Sequence, residues 1–405
     1  MTRLAIFSTH PIQYQVPIWR ALTNIPDLEV VVHYLSDTSV RGAVDADFGV
    51  AVAWDTPLLE GYPHEFVARA ERVEVGRTLQ LPGAAALLRE GAFDAVLVAG
   101  YAHAFEWQVL VAARRLGLAT VMRGEFSDRA ADRRSWYRRA SRDLALRGVY
   151  SFVDAFGYVG ADARSHLQRL GVADERMFFS PYCVDSTHFV SLAAHTDRAS
   201  ARAALGLAPG DVAALFSGKL IERKGVDVLL AAARRLVTAG RRVRFLLVGD
   251  GPLRGDIEAA ARQLPEGTVH LAGFVNQSAL GPRFAAADMF VLPSRHETWG
   301  LVVNEAMYFG LPVVVSDTVG CVRDLVLDGE TGYVARNEDA DAFAAAIDRL
   351  AADPVRARAM GERGRQRVTL YSVEASAAGL SDAVQFAVQR RRAGPRRATA
   401  VAAIR

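Results

Sequence analysis

Ser294-Arg295-His296-Glu297-Thr298-Trp299-Gly300-Leu301-Val302-Val303-Asn304-Glu305-Ala306-Met307 follows directly on the apolar run Met289-Phe290-Val291-Leu292-Pro293. An apolar run of that length before a turn reads as a buried strand of a parallel sheet. From Leu301 onward the composition is helical. Glu297 therefore falls on a loop at the strand's carboxyl end, and Glu305 in the first turns of the next helix. In open α/β sheets that crevice is where ligands bind. A helix N-terminus offers unpaired N–H groups and positive potential to a phosphate. A carboxylate beside it accepts hydrogen bonds from ribose hydroxyls. The pattern suits a nucleotide-sugar, with the diphosphate on the amides and the hydroxyls on the carboxylates. The plain alternative is a pair of solvated helix charges.

Outward from this stretch the chain alternates strand and helix. Strands are predicted at Val212–Ser217, Arg244–Val248, Thr268–Ala272, Met289–Leu292 and Pro312–Ser316, with helices such as Gly225–Ala239 and Pro252–Leu264 between them. The first half repeats the rhythm with Leu4–Ser8, Glu29–Leu35, Ala95–Ala99 and Ala119–Arg123, and a helix at Phe105–Leu116. Such alternation implies parallel, doubly wound sheets. Two runs of it imply two Rossmann-like domains facing across a cleft. Arg41–Pro82 breaks the rhythm and reads as an excursion near the acceptor side. Ser186–Gly210, rich in Ala, Ser, Thr and His, reads as a linker.

Composition narrows the classes. A chain of 405 residues with 51% hydrophobic content has ample material for a core in each of two or three domains and is not a disordered chain. The net charge of +3 gives no argument for nucleic acid. Cys183 and Cys321 are the only cysteines, so no disulfide framework exists and a reducing cytoplasm fits. The start lacks a signal-peptide apolar region, and no apolar run approaches the ~18–20 residues of a membrane span. The expectation is a soluble protein, at most bound to a membrane surface.

Further motifs recur in order. They are His10-Pro11-Ile12-Gln13-Tyr14, Ser180-Pro181-Tyr182-Cys183-Val184-Asp185, Gly218-Lys219-Leu220-Ile221-Glu222-Arg223-Lys224-Gly225, Val248-Gly249-Asp250-Gly251-Pro252 and Asp328-Gly329-Glu330-Thr331-Gly332. With the two-glutamate motif they resemble the family-4 retaining glycosyltransferases, from the first strand to about residue 375. The His-Pro-Ile-Gln-Tyr string resembles a bacterial subgroup of that family. The resemblance implies the GT-B fold. Its N-terminal, acceptor-side domain would span 1–185, and its nucleotide-sugar domain 186–371. A last helix, about 372–390, would cross back to the first domain, and 391–405 would form a flexible tail.

By the same resemblance, Glu305 binds the ribose hydroxyls and Glu297 contacts the transferred sugar. The backbone of Thr298, Trp299, Gly300 and Leu301 approaches that sugar or the phosphate. Gly218 and Gly249 belong to the donor site, and Phe274-Val275 flanks the base. A structural turn at Gly249 and core packing by Phe274 are equally open. The family's usual string is Glu-Gly-Phe-Gly; here Thr298 and Trp299 replace Gly-Phe. Lys219 and Lys224 supply fixed cations for the leaving diphosphate, so no metal and no cofactor are expected. Lys219 stands where most of the family has Arg, keeping the charge but losing the bidentate fork. Asp45-Ala46-Asp47 has the spacing of a metal motif but sits in the irregular excursion and reads as structural.

On the first domain the candidates are His10, Gln13, His103, Arg123 and Glu125, all at predicted strand ends. His103 reads equally as a catalytic residue and as a buried structural histidine. Arg133–Arg142 mixes arginines with Trp136 and Tyr137. It suits either an interfacial helix on anionic lipid or a solvated helix face. The resemblance implies an enzyme that transfers a sugar with retention, in bacterial polysaccharide, glycolipid or glycoconjugate synthesis. It implies an acceptor hydroxyl, with a lipid-linked acceptor among the options, and a location in the cytoplasm or on the inner face of the plasma membrane. The alternatives are a nucleotide-sugar epimerase on this architecture and a non-catalytic binding subunit.

Overall fold

The computed structural model describes residues 1–41, 55–70, 79–128 and 135–393. The first sheet contains β1 (Thr2–Ser8), β2 (Leu28–Tyr34), β3 (His64–Phe66), β4 (Ala95–Val98), β5 (Ala119–Gly124), β6 (Ala155–Tyr158) and β7 (Met177–Phe179). Their spatial order is β3-β2-β1-β4-β5-β6-β7, with every pairing parallel. The second sheet contains β8 (Val212–Ser217), β9 (Val243–Val248), β10 (Val269–Gly273), β11 (Met289–Leu292), β12 (Val313–Ser316) and β13 (Gly332–Ala335), in the order β10-β9-β8-β11-β12-β13. It too is parallel throughout. Helices cover the faces, which is why central strands such as Leu4–Phe7 and Met289–Leu292 are apolar at every position.

Each sheet reverses its winding at one place: between β1 and β4 in the first, between β8 and β11 in the second. A crevice opens at the carboxyl ends of such a pair. These two switch points carry most of the sequence-predicted site residues.

Four strands lie where no strand was expected. β3 is short and lies in the described part of the Arg41–Pro82 excursion. β7 has only three residues, and β6 and β13 each carry a glycine and a tyrosine in place of the unbroken apolar run of β4 and β11. The expected linker is instead two helices, Ser186–His195 and Arg198–Ala204. Asp185 and Asp197 cap them, accepting from the amides of His188 (3.1 Å) and Ser200 (2.7 Å). Phe189 is buried in the second core. The helix expected over Pro252–Leu264 runs only over Arg254–Ala261, and Pro252 stands in the preceding turn. Asp45-Ala46-Asp47 and the last twelve residues lie outside the described part.

The two cores part between Cys183, which packs in the first domain, and Val184, which packs in the second. The helix Val373–Arg392 returns to the first sheet. It buries Ala377, Leu380, Val384 and Val388 beside Leu4, Ile6 and Trp19. Gly379 permits this approach, because a Cβ there would stand 1.8 Å from the Phe179 carbonyl. Arg391, assigned to the tail from sequence, is helical and donates to Asp154 at 2.7 Å.

Candidate functional site

A cleft of about 500 Å³ lies between the two switch points. All the donor-site candidates line it: Gly218, Gly249, Phe274, Val275, Thr298, Trp299, Gly300, Leu301 and Glu305. So do Lys219, Lys224, Glu297, Gln13 and Glu125. His10, His103 and Arg123 do not.

The polar groups are already engaged with one another. Lys224 Nζ donates to Glu297 Oε2 in a tight ion pair, and Arg223 lies 3.7 Å from the other Glu297 oxygen. The 3₁₀ turn Glu222–Lys224 after β8 carries both cations, and the loop after β11 carries the carboxylate. Pairing of β8 with β11 brings them together across 73 residues of sequence. Glu305 is 4% exposed, on the helix Leu301–Tyr308. Burial pushes its carboxyl up to about 8. Its Oε1 accepts from Tyr14 of the first domain at 3.2 Å.

At two glycines the backbone is committed to neighbouring strand ends. The Gly218 amide donates to Val248 O and the Gly249 amide to Gly273 O, so neither N–H points at the cleft. Gly249 is required sterically: at φ +137° a Cβ would lie 1.9 Å from Gly218 O. The turns after β8 and β9 can touch only because this residue has no side chain. At the helix, by contrast, the amides of Leu301 and Val302 belong to the first turn and lack intrahelical acceptors. Both residues line the cleft.

Trp299 is the residue that departs from the family string. Its indole Nε1 donates to Asn304 Oδ1 at 3.0 Å, and its ring meets Tyr182 edge-on at 5.6 Å between centroids. The far edge of the ring lies against Gly160 of the first domain, where a Cβ would come within 2.4 Å. The tryptophan thus wedges the two domains together while one side of it lines the cleft. Asp324 adds a second link by accepting from the Ala161 amide at 2.9 Å, and Arg323 pairs with Asp162 at 2.9 Å.

On the first domain, Arg123 is 4% exposed and committed to the scaffold. It donates to Ser180 Oγ, to the carbonyls of Ser180 and Pro181, and to Ser376 Oγ of the returning helix. Its guanidinium also lies over the Tyr182 ring at 5.2 Å. It clamps β5 to the crossover between domains. A second pocket of about 360 Å³ lies beside it, lined by Trp19, Gly100, Tyr101, Glu125 and Tyr182 among others. Glu125 borders both this pocket and the cleft. It accepts from Tyr182 Oη. Burial raises its carboxyl, and the charge of Glu297 adds to the rise.

His103 caps the helix Ala104–Leu116, where its amide donates to Glu106 Oε2 at 2.8 Å. Its ring stacks near Phe105 and both ring nitrogens are buried without a partner. His10 is near enough for the two imidazoles to affect each other, and burial lowers both. Neither histidine lines the cleft.

Several cleft residues were not singled out from the sequence, Tyr14 and Gln277 among them. Tyr14 ends the quoted His10–Tyr14 string, but nothing in the string distinguishes it. Gln277 follows β10 in a 3₁₀ turn, with no signal in its neighbours. Tyr182, inside the Pro-x-x-Val-Asp segment, lines the second pocket instead. Among the described residues no group of three or more His, Cys, Asp or Glu side chains is arranged to hold a metal. Among them, too, no helix is long and apolar enough to cross a membrane.

Comparison with known structures defines the architecture as GT-B. A sucrose-phosphate synthase from Thermosynechococcus elongatus superposes with a TM-score of 0.66 at 21% identity, covering 95% of this chain and 98% of that one. HepE from Anabaena, in complex with UDP, superposes at 0.70 with 16% identity over 95% of this chain and all of the other. Within this fold, residues 197–367 match the glycosyl transferases group 1 family. A D-inositol 3-phosphate glycosyltransferase of Nocardia farcinica is 32% identical over 263 residues. That stretch is 61% of this chain, and the chain spans about half the length of that relative, 56%.

Proposed function

We propose that the protein is a glycosyltransferase, moving a sugar from a nucleoside-diphosphate sugar to an acceptor hydroxyl with retention of anomeric configuration. The observation that carries this reading is the gathering of Lys219, Lys224, Glu297, Glu305 and a helix N-terminus on one cleft. Cations suit a diphosphate, and a buried carboxylate suits a ribose diol. The matching group 1 family over 197–367 and the UDP complex of the HepE neighbour support the same assignment.

In this reading the diphosphate lies between the Leu301 and Val302 amides and the two lysines. Glu305 holds the ribose, Phe274 and Val275 flank the base, and Glu297 faces the transferred sugar. The acceptor enters from the first domain through the pocket that ends at Glu125. As the bond from the anomeric carbon to the diphosphate breaks, negative charge grows on the departing oxygen. Lys219 and Lys224 stabilise that charge. The acceptor oxygen bonds to the same face of the anomeric carbon, and its proton passes to the departing phosphate oxygen. The protein's contribution is orientation, fixed charge and exclusion of water. No metal is assigned a step.

The exposed apolar and basic side chains on the helix Trp136–Ser151 favour an acceptor held at an anionic membrane surface, on the cytoplasmic side. Bacterial glycolipid or polysaccharide synthesis is the setting this implies.

Calorimetric titration with UDP, ADP and GDP tests the donor site. One of them binds the wild type, and Glu305→Ala weakens it by about 1.5–3 kcal/mol. Anomeric analysis of the product by NMR tests retention. An epimerised donor formed without any acceptor would instead establish an epimerase. Turnover persists in EDTA; loss restored by manganese or magnesium would overturn the assignment of the lysines.

A further inference from the structure

The hydroxyl of Tyr14 stands where a nucleotide would compete for it. Tyr14 lies in the turn between β1 and the helix Val16–Thr23, at the first domain's switch point. Its ring nevertheless packs against the core of the second domain. Its Oη donates to Glu305 Oε1 at 3.2 Å, joining residues 291 apart in sequence. A buried carboxyl needs a hydrogen-bond partner, and Tyr14 supplies one. A ribose diol offers the same group two hydroxyls. Both cannot take the same oxygen in the same direction.

Two other contacts between the domains differ in kind. Asp324 with the Ala161 amide, and Arg323 with Asp162, use no group that lines the cleft. A ligand in the cleft leaves these two in place, whereas a ligand on Glu305 competes for the Tyr14 contact.

We propose that Tyr14 is a latch across the cleft, holding Glu305 to the first domain until the donor's ribose displaces its hydroxyl. This rests on Glu305 as the ribose seat. The latch sets a threshold for binding, because the competent arrangement is populated only when the hydroxyl has left. Apparent affinity is reduced by that fraction. Release of Tyr14 removes one tie between the domains and leaves the Trp299 wedge and the Asp324 and Arg323 contacts in place.

The test is nucleotide affinity of Tyr14→Phe, with Arg323→Ala as the companion variant. Phenylalanine keeps the ring and removes only the hydroxyl. By calorimetry with UDP, ADP and GDP in turn, Tyr14→Phe tightens the nucleotide that the wild type binds by about two- to tenfold, the worth of one hydrogen bond. Arg323→Ala loosens the domains elsewhere and leaves that affinity at the wild-type value. Unchanged or weaker binding by Tyr14→Phe overturns the latch. So does equal tightening by Arg323→Ala, because general loosening would then explain the gain. If wild type and variants bind none of the three nucleotides, the donor reading itself fails and the latch falls with it. If the wild type binds and Tyr14→Phe gains nothing, only the latch falls.

Discussion

Along the second domain's side of the cleft, charged residues on turns after β8 and β11 line the open volume. On the first domain's side, Gln13 and Glu125 reach the cleft, but Arg123 turns back into the scaffold. Lys224 meets Glu297 on the cleft wall. Arg123, at the end of β5, gives its hydrogen bonds to Ser180, Pro181 and Ser376. Cations near strand ends of the two sheets thus have opposite duties. What separates them is the ligand each side is proposed to meet. A diphosphate imposes charge at fixed places, whereas an acceptor hydroxyl imposes little. The first domain is free to spend its strand ends on holding the two halves together.

Two substitutions sharpen this contrast most. Lys224→Ala lowers turnover at saturating donor about 100-fold or more, since the cation opposes charge that peaks as the diphosphate departs. Near-normal turnover would place Lys224 outside the chemistry. Arg123→Ala has the opposite signature. It takes the guanidinium donor from the buried carbonyls of Ser180 and Pro181, and unfolding free energy falls by about 3 kcal/mol. Nucleotide affinity of the folded protein stays at the wild-type value. If denaturant titration finds full stability and acceptor KM rises instead, Arg123 touches the acceptor and the contrast between domains is lost.

A smaller effect distinguishes the domains by pH. The Glu305 carboxyl is raised from 4.5 to about 8 by burial. Between those values unfolding releases its proton, so its contribution to stability falls as pH rises. His33 acts with the other sign in the first domain. It lies between Phe7 and Phe93, and burial lowers it to about 4. Its contribution is lost as pH falls from about 6.5 toward 4. Glu305→Gln therefore gains in Tm relative to wild type as pH rises from 5 to 9, while the acid limb is unchanged. Glu106, raised to about 7 by burial, keeps part of the alkaline slope. Parallel Tm curves for the two proteins would show that Glu305 ionises in the folded state as it does in the unfolded chain.

The same contrast governs what could be read from the sequence. Long apolar strands and motifs such as Gly218–Gly225 and Ser294–Met307 announce the second sheet and the residues of its cleft, because charge and glycine stand at fixed spacing after each strand. What stayed illegible there was finer. The Gly218 and Gly249 amides bond to neighbouring strand ends, and no sequence pattern reveals which N–H is taken. In the first domain β3 and β7 have three residues, and β6 is broken by Gly157, so none shows the apolar run of β4. Arg123 and His103 were visible as polar residues at strand ends, but their partners Ser180, Ser376 and Glu106 come from packing. Tyr14 was quoted within a motif and still overlooked. Its importance depends on Glu305, which lies 291 residues away. The expected linker at Ser186–Gly210 failed because alanine and histidine give no amphipathic stripe, while the caps at Asp185 and Asp197 are single residues.

The smallest effect concerns the first domain's outer face. On the helix Trp136–Ser151, Trp136 is 80% exposed and Leu144 is 73% exposed, with Tyr137 also outward. Arg138 and Arg139 are exposed beside them. Arg142, part of the same cluster in sequence, instead reaches Asp128 at 3.3 Å and the Ser127 carbonyl at 3.2 Å. Arg133 and Arg134 lie outside the described residues. The structure therefore divides the cluster into an outward part and a scaffold part. Each basic residue near an anionic surface contributes about 1 kcal/mol, screened by salt. Replacing Arg138 and Arg139 by glutamine weakens flotation with anionic vesicles by about 2 kcal/mol in total. Arg142→Gln has less effect on flotation and more on Tm. The double variant keeps full transfer to a water-soluble acceptor, since the cleft is elsewhere. If the wild type floats with neither anionic nor neutral vesicles at low salt, this face is only solvated. The first domain's exposed aromatics would then carry no argument for a membrane-held acceptor.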